Sequence, residues 1–277
     1  MSRREKTWWW VVGIAIMLYC LFPIAWIISL SFKGPADIAN GQFLPSKPST
    51  ENYSTILTGS ASELFLPALR NSFGICLIAT FISCFLSMFA AYAIARLDFP
   101  GKRLILSAAL GVAIFPVISI VTPLFNLWRQ IGLYDTWLGL IIPYLSLTLP
   151  ISIWTMSAFF REIPWEMEQA AQVDGATTWQ AFRKVIVPLA APGVFTTAII
   201  AFFIAWNDFA YGISLTSTSA ARPVPAALGL ISGASQFVDP TGSIAAAAVI
   251  VTVPVVVLVL IFQRRIVAGL TNGAVKG

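Results

Sequence analysis

Twelve Asp and Glu residues, no His and three Cys are the whole stock of groups on which a catalytic or metal-binding site could be built in these 277 residues. Cys20, Cys76 and Cys84 each sit inside an apolar run, so neither a disulfide framework nor a metal cluster is indicated. Phosphate chemistry needs a G-x-x-x-x-G-K-[ST] loop, and the nearest stretch, "PGKR" at Pro100 to Arg103, lacks both the spacing and the hydroxyl. Two acids alone can hydrolyse a glycoside, yet eleven of the twelve lie outside the apolar stretches. The exception is Asp208. An ionisable group inside a membrane is costly and is a functional candidate by default. Counted from Gly193, it is 15 residues along its apolar run. That is about 22 Å at a rise of about 1.5 Å per residue, in the outer third of a bilayer. Trp206, Asn207 and Tyr211 beside it would add hydrogen bonds and an aromatic platform for a ligand. The structural alternative is that Asp208 pairs with a neighbouring chain or reaches interfacial water.

The elements that must position these groups are membrane helices. The chain is 58% hydrophobic and 10% charged, with a mean hydropathy of +0.83, well beyond the composition of a soluble domain. Runs of roughly 20 apolar residues are needed to cross the hydrocarbon. Six qualify: about 8–31, 71–95, 104–127, 137–160, 193–213 and 243–262. The expected fold is therefore an all-α integral membrane protein, a single transmembrane domain over 1–277. Arg3, Arg4, Lys6, Arg96, Lys102, Arg103, Arg161, Arg183, Lys184, Arg264, Arg265 and Lys276 fall on one side. Only Lys33, Lys47, Arg70, Arg129 and Arg222 fall on the other. The positive-inside rule makes the first side cytoplasmic, with both termini on it. That topology also accounts for the pI near 9.3 without nucleic acid as a partner. The first apolar run is too long for a cleavable signal peptide and lacks a small-residue cleavage site. Prolines at 23, 116, 123, 143, 150 and 254 fall inside spans, where each removes a donor and tends to kink its helix. The outer loop from Phe32 to Arg70 reads as irregular, and its "NYS" at Asn52 matches the glycosylation pattern.

One polar segment interrupts the apolar chain on the cytoplasmic side, residues 161–192. Pro164 suits the first turn of a helix and "WEMEQAAQV" is made of good helix formers. Asp174 and Gly175 end it, glycine taking the left-handed conformation that closes a helix. Thr177 with Gln180 forms a capping box for a second helix, with Trp179, Phe182 and Ile186 on one face. Pro188 and Pro192 lead into the next span. Ala170 and Ala171 offer a low surface to another protein, and Glu166, Glu168, Arg183 and Lys184 a polar rim. Helical spacing equally fits an amphipathic hairpin lying on the bilayer or on its own bundle.

The run Gln169-Ala170-Ala171, Gly175, Val185 and Val187-Pro188 resembles, with the same spacing, the EAA signature of the membrane subunits of ABC importers. "ARLDFPGKR", "AWNDF", "GSIAAAAV" and "FQRRIVAGLTNGAVKG" extend the resemblance over nearly the whole chain, to carbohydrate permeases of the maltose-uptake type, second-subunit class. "FREIPW" and "QAFRKVIVPLAAPG" are most similar to members that take up trehalose in actinobacteria. The resemblance implies a type I importer permease fold and a cytoplasmic coupling loop docked in an ATPase cleft through Glu168, Gln169, Ala170, Ala171, Asp174, Gly175, Ala176, Phe182 and Pro188. It departs at Gln169, where the signature has a glutamate. It further implies ATPase contacts from the tail at Thr271, Asn272 and Gly273, and a bacterial cell-membrane location. The implied assembly holds a second, different permease subunit, two ATPase subunits carrying the ATP and Mg, and an extracytoplasmic sugar-binding protein or lipoprotein. That protein would meet the outer loop Ser214 to Gly242, with Arg222, Gln236 and Asp239. This chain would have no catalytic or metal site of its own and would move a disaccharide by alternating access. An ion-coupled secondary transporter of a small polar solute is the competing reading. It calls for intramembrane acids or an internal repeat, and one acid and no repeat are present.

Overall fold

The computed structural model describes residues 3–231 and 239–274. In chain order its helices are α1 (Arg3–Ser31), α2 (Pro35–Ile38), α3 (Glu51–Leu57), α4 (Ser62–Arg96), α5 (Lys102–Ala113), α6 (Val117–Ile131), α7 (Trp137–Glu162), α8 (Trp165–Val173), α9 (Thr178–Ala181), α10 (Val187–Leu189), α11 (Ala191–Trp206), α12 (Ala210–Leu215), α13 (Val224–Leu228) and α14 (Thr241–Ala274). A π-helical turn, Phe182–Ile186, joins α9 to α10. No strand occurs among the described residues. Among the described residues four helices are long and apolar enough to cross a membrane, α1, α4, α7 and the Thr241–Phe262 part of α14, or up to six spans if each of two bent helix pairs is one span.

The expected spans and the observed helices differ where local backbone chemistry intervenes. The run expected as one span over 104–127 is α5 and α6, bent by 85°. Pro116 lies at the break and has no N–H to continue the ladder, and Ile114 and Phe115 bond back to Gly111 and Val112 in a tightened last turn. Pro23, Pro67, Pro123, Pro143, Pro150 and Pro254 lie inside helices that run through them. The run expected over 193–213 stops at Trp206 and resumes at Ala210. The outer segment read as irregular from Phe32 to Arg70 contains α2, α3 and the first turns of α4, while α14 continues past the expected end at 262.

Two compact units are resolved within the chain. The first comprises Met1–Pro67 and Ala227–Pro254. In it the most apolar stretch of α1 has no buried side chain, which is stable against lipid or another chain and not against water. Its outer end is knitted by Asn52, whose side-chain amide donates to the carbonyls of Ser31 at 3.1 Å and Lys33 at 2.8 Å. Asn52 is thereby engaged inside the fold, and the glycosylation match finds no free acceptor there. Ser31 Oγ meets Tyr53 Oη at 2.8 Å, and the buried Lys33 donates to the Gln42 carbonyl and sits 4.9 Å from the Trp26 ring.

The second unit comprises Ala68–Ala226 and Val255–Gly277 and holds both candidate sites. Here α11 packs on α7 so closely that a Cβ on Gly193 would lie 2.4 Å from the Phe159 ring, so only glycine fits. Ser83 of α4 and Ser152 of α7 bond across the buried interface at 3.0 Å, polar glue of the kind used between membrane helices.

Candidate functional site

The polar interruption between α7 and α11 is a helix-turn-helix. Pro164 takes φ −57° and ψ 140° and turns the chain out of α7 into α8. Gly175 sits at φ +88°. Around it Ala176 N–H bonds the Ala171 carbonyl and Gly175 N–H the Gln172 carbonyl, the paired closure that satisfies the end of a helix and reverses the chain. A Cβ at Gly175 would meet open space, so the constraint is the left-handed backbone itself. It costs other L-residues about 1–2 kcal/mol. Thr177 Oγ1 then accepts from Gln180 N–H at 3.2 Å while Gln180 Oε1 accepts from Thr177 N–H at 2.9 Å, the expected capping box. The helix widens into the π turn before Pro188. Proline brings no N–H for the Lys184 carbonyl, and Val187 N–H reaches back five residues to Phe182.

This hairpin has an inner and an outer side. Phe182, Ile186 and Ala190 are buried in a cluster with Ala91 of α4, Met156 and Phe160 of α7, and Ile163, with Tyr92 and Val194 packed against it. Outward lie Gln169, Ala170, Asp174, Gly175 and Pro188, with Ala171 and Ala176 half-buried. Val173 is 87% exposed, and Trp165, Met167 and Trp179 are also exposed, Trp179 stacking on Phe182 at 5.6 Å and on Phe89 at 6.2 Å. The structure thus gathers the expected coupling residues on one hairpin but divides them. Glu168 and Phe182 face inward, which corrects the reading of Glu168 as a rim charge. The rim charges are Glu166, Arg183 and Lys184, which are exposed.

Glu168 has partners that sequence reasoning missed. Tyr92 Oη donates to Glu168 Oε1 at 2.5 Å, and Arg96 Nε lies 4.0 Å from Oε2, both side chains being buried. Arg96 also donates to the Ile163 carbonyl at 2.6 Å and stacks 4.6 Å from the Trp165 ring centroid. The available signal was the i, i+4 placement of Tyr92 and Arg96 at the end of α4, where the arginine read only as a topological charge.

The second candidate cluster is arranged differently. Asp208, between α11 and α12, accepts from Gly212 N–H at 3.0 Å and more weakly from Tyr211 N–H at 3.4 Å. Its carboxylate satisfies the start of α12, as an N-terminal acid commonly does. Asn207 is exposed, and its amide donates to the Phe203 carbonyl at 2.8 Å. Trp206 is buried, stacked 5.2 Å from Phe202 and edge-on to Phe73 at 5.0 Å. Tyr211 lines a mainly apolar cavity of about 220 Å³ with Trp128, Pro143, Ser146 and Leu124. Of the expected platform of Trp206, Asn207, Asp208 and Tyr211, Tyr211 lines this cavity, Asp208 and Asn207 bond backbone groups, and Trp206 packs against rings. The side chains of Thr271 and Asn272, the surroundings of Gly273, and Gln236 altogether lie outside what the structure describes.

With this geometry in hand, a family model described as "Binding-protein-dependent transport system inner membrane component" matches residues 83–272. The trehalose transport system permease protein SugB of Mycobacterium tuberculosis is 56% identical over 277 residues, covering 100% of both chains. The sulfoquinovosyl glycerol transport system permease protein SmoH of Agrobacterium fabrum is 39% identical over 96% of this chain and 93% of its own. Among solved structures, a bacterial ABC transporter involved in the import of the acidic polysaccharide alginate superposes with a TM-score of 0.79 at 23% identity, covering 95% of this chain and 98% of that one.

Proposed function

Since the chain belongs to the family of binding-protein-dependent transport system inner membrane components, we propose that it is one of two permease subunits through which an ATP-driven importer carries trehalose into the cytoplasm. Support for trehalose comes from the relative at 56% identity. The relative at 39% takes a different sugar derivative, so the substrate reading follows the nearer likeness. A second, different permease subunit completes the pathway, two ATPase subunits bind ATP and Mg, and an extracytoplasmic binding protein delivers the sugar to the outer loops. Both termini and the α8–α9 hairpin face the cytoplasm, in keeping with the positive-inside distribution of Lys and Arg.

The observation that carries this reading is the α8–α9 hairpin. Its closed glycine turn and capping box make it rigid, its inner side is anchored in the bundle, and Val173, Met167 and one face of Trp179 are left exposed. Apolar side chains held rigidly beyond the membrane helices, ringed by Glu166, Arg183 and Lys184, fit a protein partner. ATP-driven closure of the ATPases moves the hairpin, and the helices anchored to it follow. The ion-coupled alternative loses ground because its one intramembrane acid, Asp208, is engaged by backbone N–H groups of α12.

The test is trehalose-dependent ATP hydrolysis by the reconstituted assembly, wild type against Gly175→Asp. Collapse of stimulation in a complex that still purifies intact supports the reading. Unchanged hydrolysis and uptake reduce the hairpin to an amphipathic surface element.

A further inference from the structure

We propose that α4 is the rigid link that carries the position of the coupling hairpin through this subunit, with Arg96 and Tyr92 as positioning residues at one end and Asn71 and Ser72 at the other. The inference rests on the docking reading of the hairpin. At the hairpin end, the last two turns of α4 hold both legs of the helix-turn-helix. Tyr92 bonds Glu168 in α8 through its hydroxyl, and its ring meets Phe182 of the π turn edge-on at 4.8 Å. Arg96 joins three elements, being the last residue of α4, a donor to the Ile163 carbonyl that follows α7, and the stacking and ion-pair partner of α8.

The ion pair is incompletely closed. Arg96 Nε and Glu168 Oε2 are buried, 4.0 Å apart, and neither has a hydrogen-bond partner among the described residues. A charge-assisted hydrogen bond is about 2.7–2.9 Å long, so a displacement of about 1 Å converts the contact. Buried polar atoms left unpaired are unfavourable, which gives the clasp two arrangements, open as seen here and closed when α8 is pressed toward α4. At the other end, Asn71 Nδ2 donates to the carbonyls of Ser219 at 2.9 Å and Arg222 at 3.2 Å, and Ser72 Oγ accepts from Val224 N–H at 2.7 Å. Trp137 of α7 adds a bond to Asn71 Oδ1 at 3.1 Å. Between Asn71 and Arg96 the helix is unbroken, a span of about 37 Å. All of these residues lie in one compact unit. A push on α8 therefore reaches the 217–224 segment through one helix.

The experiment reads the ratio of ATP hydrolysis with and without sugar-loaded binding protein in the reconstituted complex, normalised to assembled complex. Arg96→Gln, Tyr92→Phe and Asn71→Ala should each lower the ratio at least about fivefold, the lower end of typical coupling between sites. Pairing Arg96→Glu with Glu168→Arg should recover stimulation relative to Arg96→Glu alone. A merely structural role would instead lower the yield of complex and leave the ratio per complex untouched. Should Arg96→Gln prevent assembly, Tyr92→Phe decides, because it removes one hydroxyl and keeps the ring packing. An unchanged ratio in both Tyr92→Phe and Asn71→Ala overturns the proposal. Gly175→Asp, run alongside, separates the two failures. If it abolishes stimulation while these variants keep it, the link is wrong and docking stands; if it too is silent, the docking reading has failed.

Discussion

The α8–α9 hairpin and the Asn207–Phe209 break are both interruptions of an apolar helical chain, and they dispose of their polar groups in opposite ways. At the hairpin the end of α8 and the start of α9 are closed locally, by Gly175 and by the Thr177–Gln180 box, and Gln169, Ala170, Val173 and Asp174 remain exposed. At the break the reverse holds, since Asp208 itself closes the start of α12 and Asn207 bonds the last turn of α11. An interruption that caps its own helix ends frees its side chains for a partner. One that caps them with its acid does not.

The contrast is broken most forcefully by exchanging disruption between the two places. Gly175→Asp puts a β-carbon and a charge at φ +88° and should cut sugar-stimulated ATP hydrolysis by about 100-fold, near the upper range of coupling energies. Asp208→Ala should leave the KM for uptake unchanged while lowering stability by about 1 kcal/mol, the typical cost of a lost N-terminal cap, read in a detergent thermal melt. A raised KM without a stability change would return Asp208 to the substrate path. Trp179→Ala, which removes an exposed ring stacked on Phe182 and Phe89, should weaken ATPase assembly by about fivefold, as truncation of an interface aromatic commonly does, measured by pull-down against Asn207→Ala as the neutral comparison.

The smallest effect concerns a third cap, at the start of α14. Asp239 accepts from the Thr241 hydroxyl at 2.5 Å and the Thr241 N–H at 2.9 Å. The hydroxyl, followed by the backbone amide, holds this carboxyl below its ordinary value of 3.8. Its folded pKa is depressed, so the cap is fully present above the ordinary value and is lost as pH falls through the depressed one. Amide exchange at Thr241, corrected for intrinsic rates, should stay flat from neutral pH down to the ordinary value and accelerate only below it.

Much of this was legible beforehand. Apolar run length is a strong signal, and α1, α7 and the start of α14 follow it closely. The Pro164 entry, the Gly175 turn and the Thr177–Gln180 box were readable because caps are local chemistry. The burial of Glu168 was not, because it depends on Tyr92 and Arg96, which are more than 70 positions away in the chain. Position alone marked Asp208 as exceptional. Its use as a cap depends on the chain stopping at Trp206, and an apolar run through 193–213 hides that stop. Hydropathy likewise sees no break at Pro116, since Ile114, Phe115 and Val117 continue the apolar run through the bend.

The central claim is that the outer side of the hairpin meets an ATPase subunit. Its most direct test replaces the three native cysteines by serine, introduces Val173→Cys at the most exposed large apolar side chain of α8, and crosslinks the assembled transporter in membranes with and without ATP. The account predicts a product containing this chain and an ATPase subunit whose yield changes with nucleotide, and none from a cysteine at Leu138 of α7. Crosslinks from position 173 only to lipid or to the same subunit, in a complex that hydrolyses ATP normally, would contradict it.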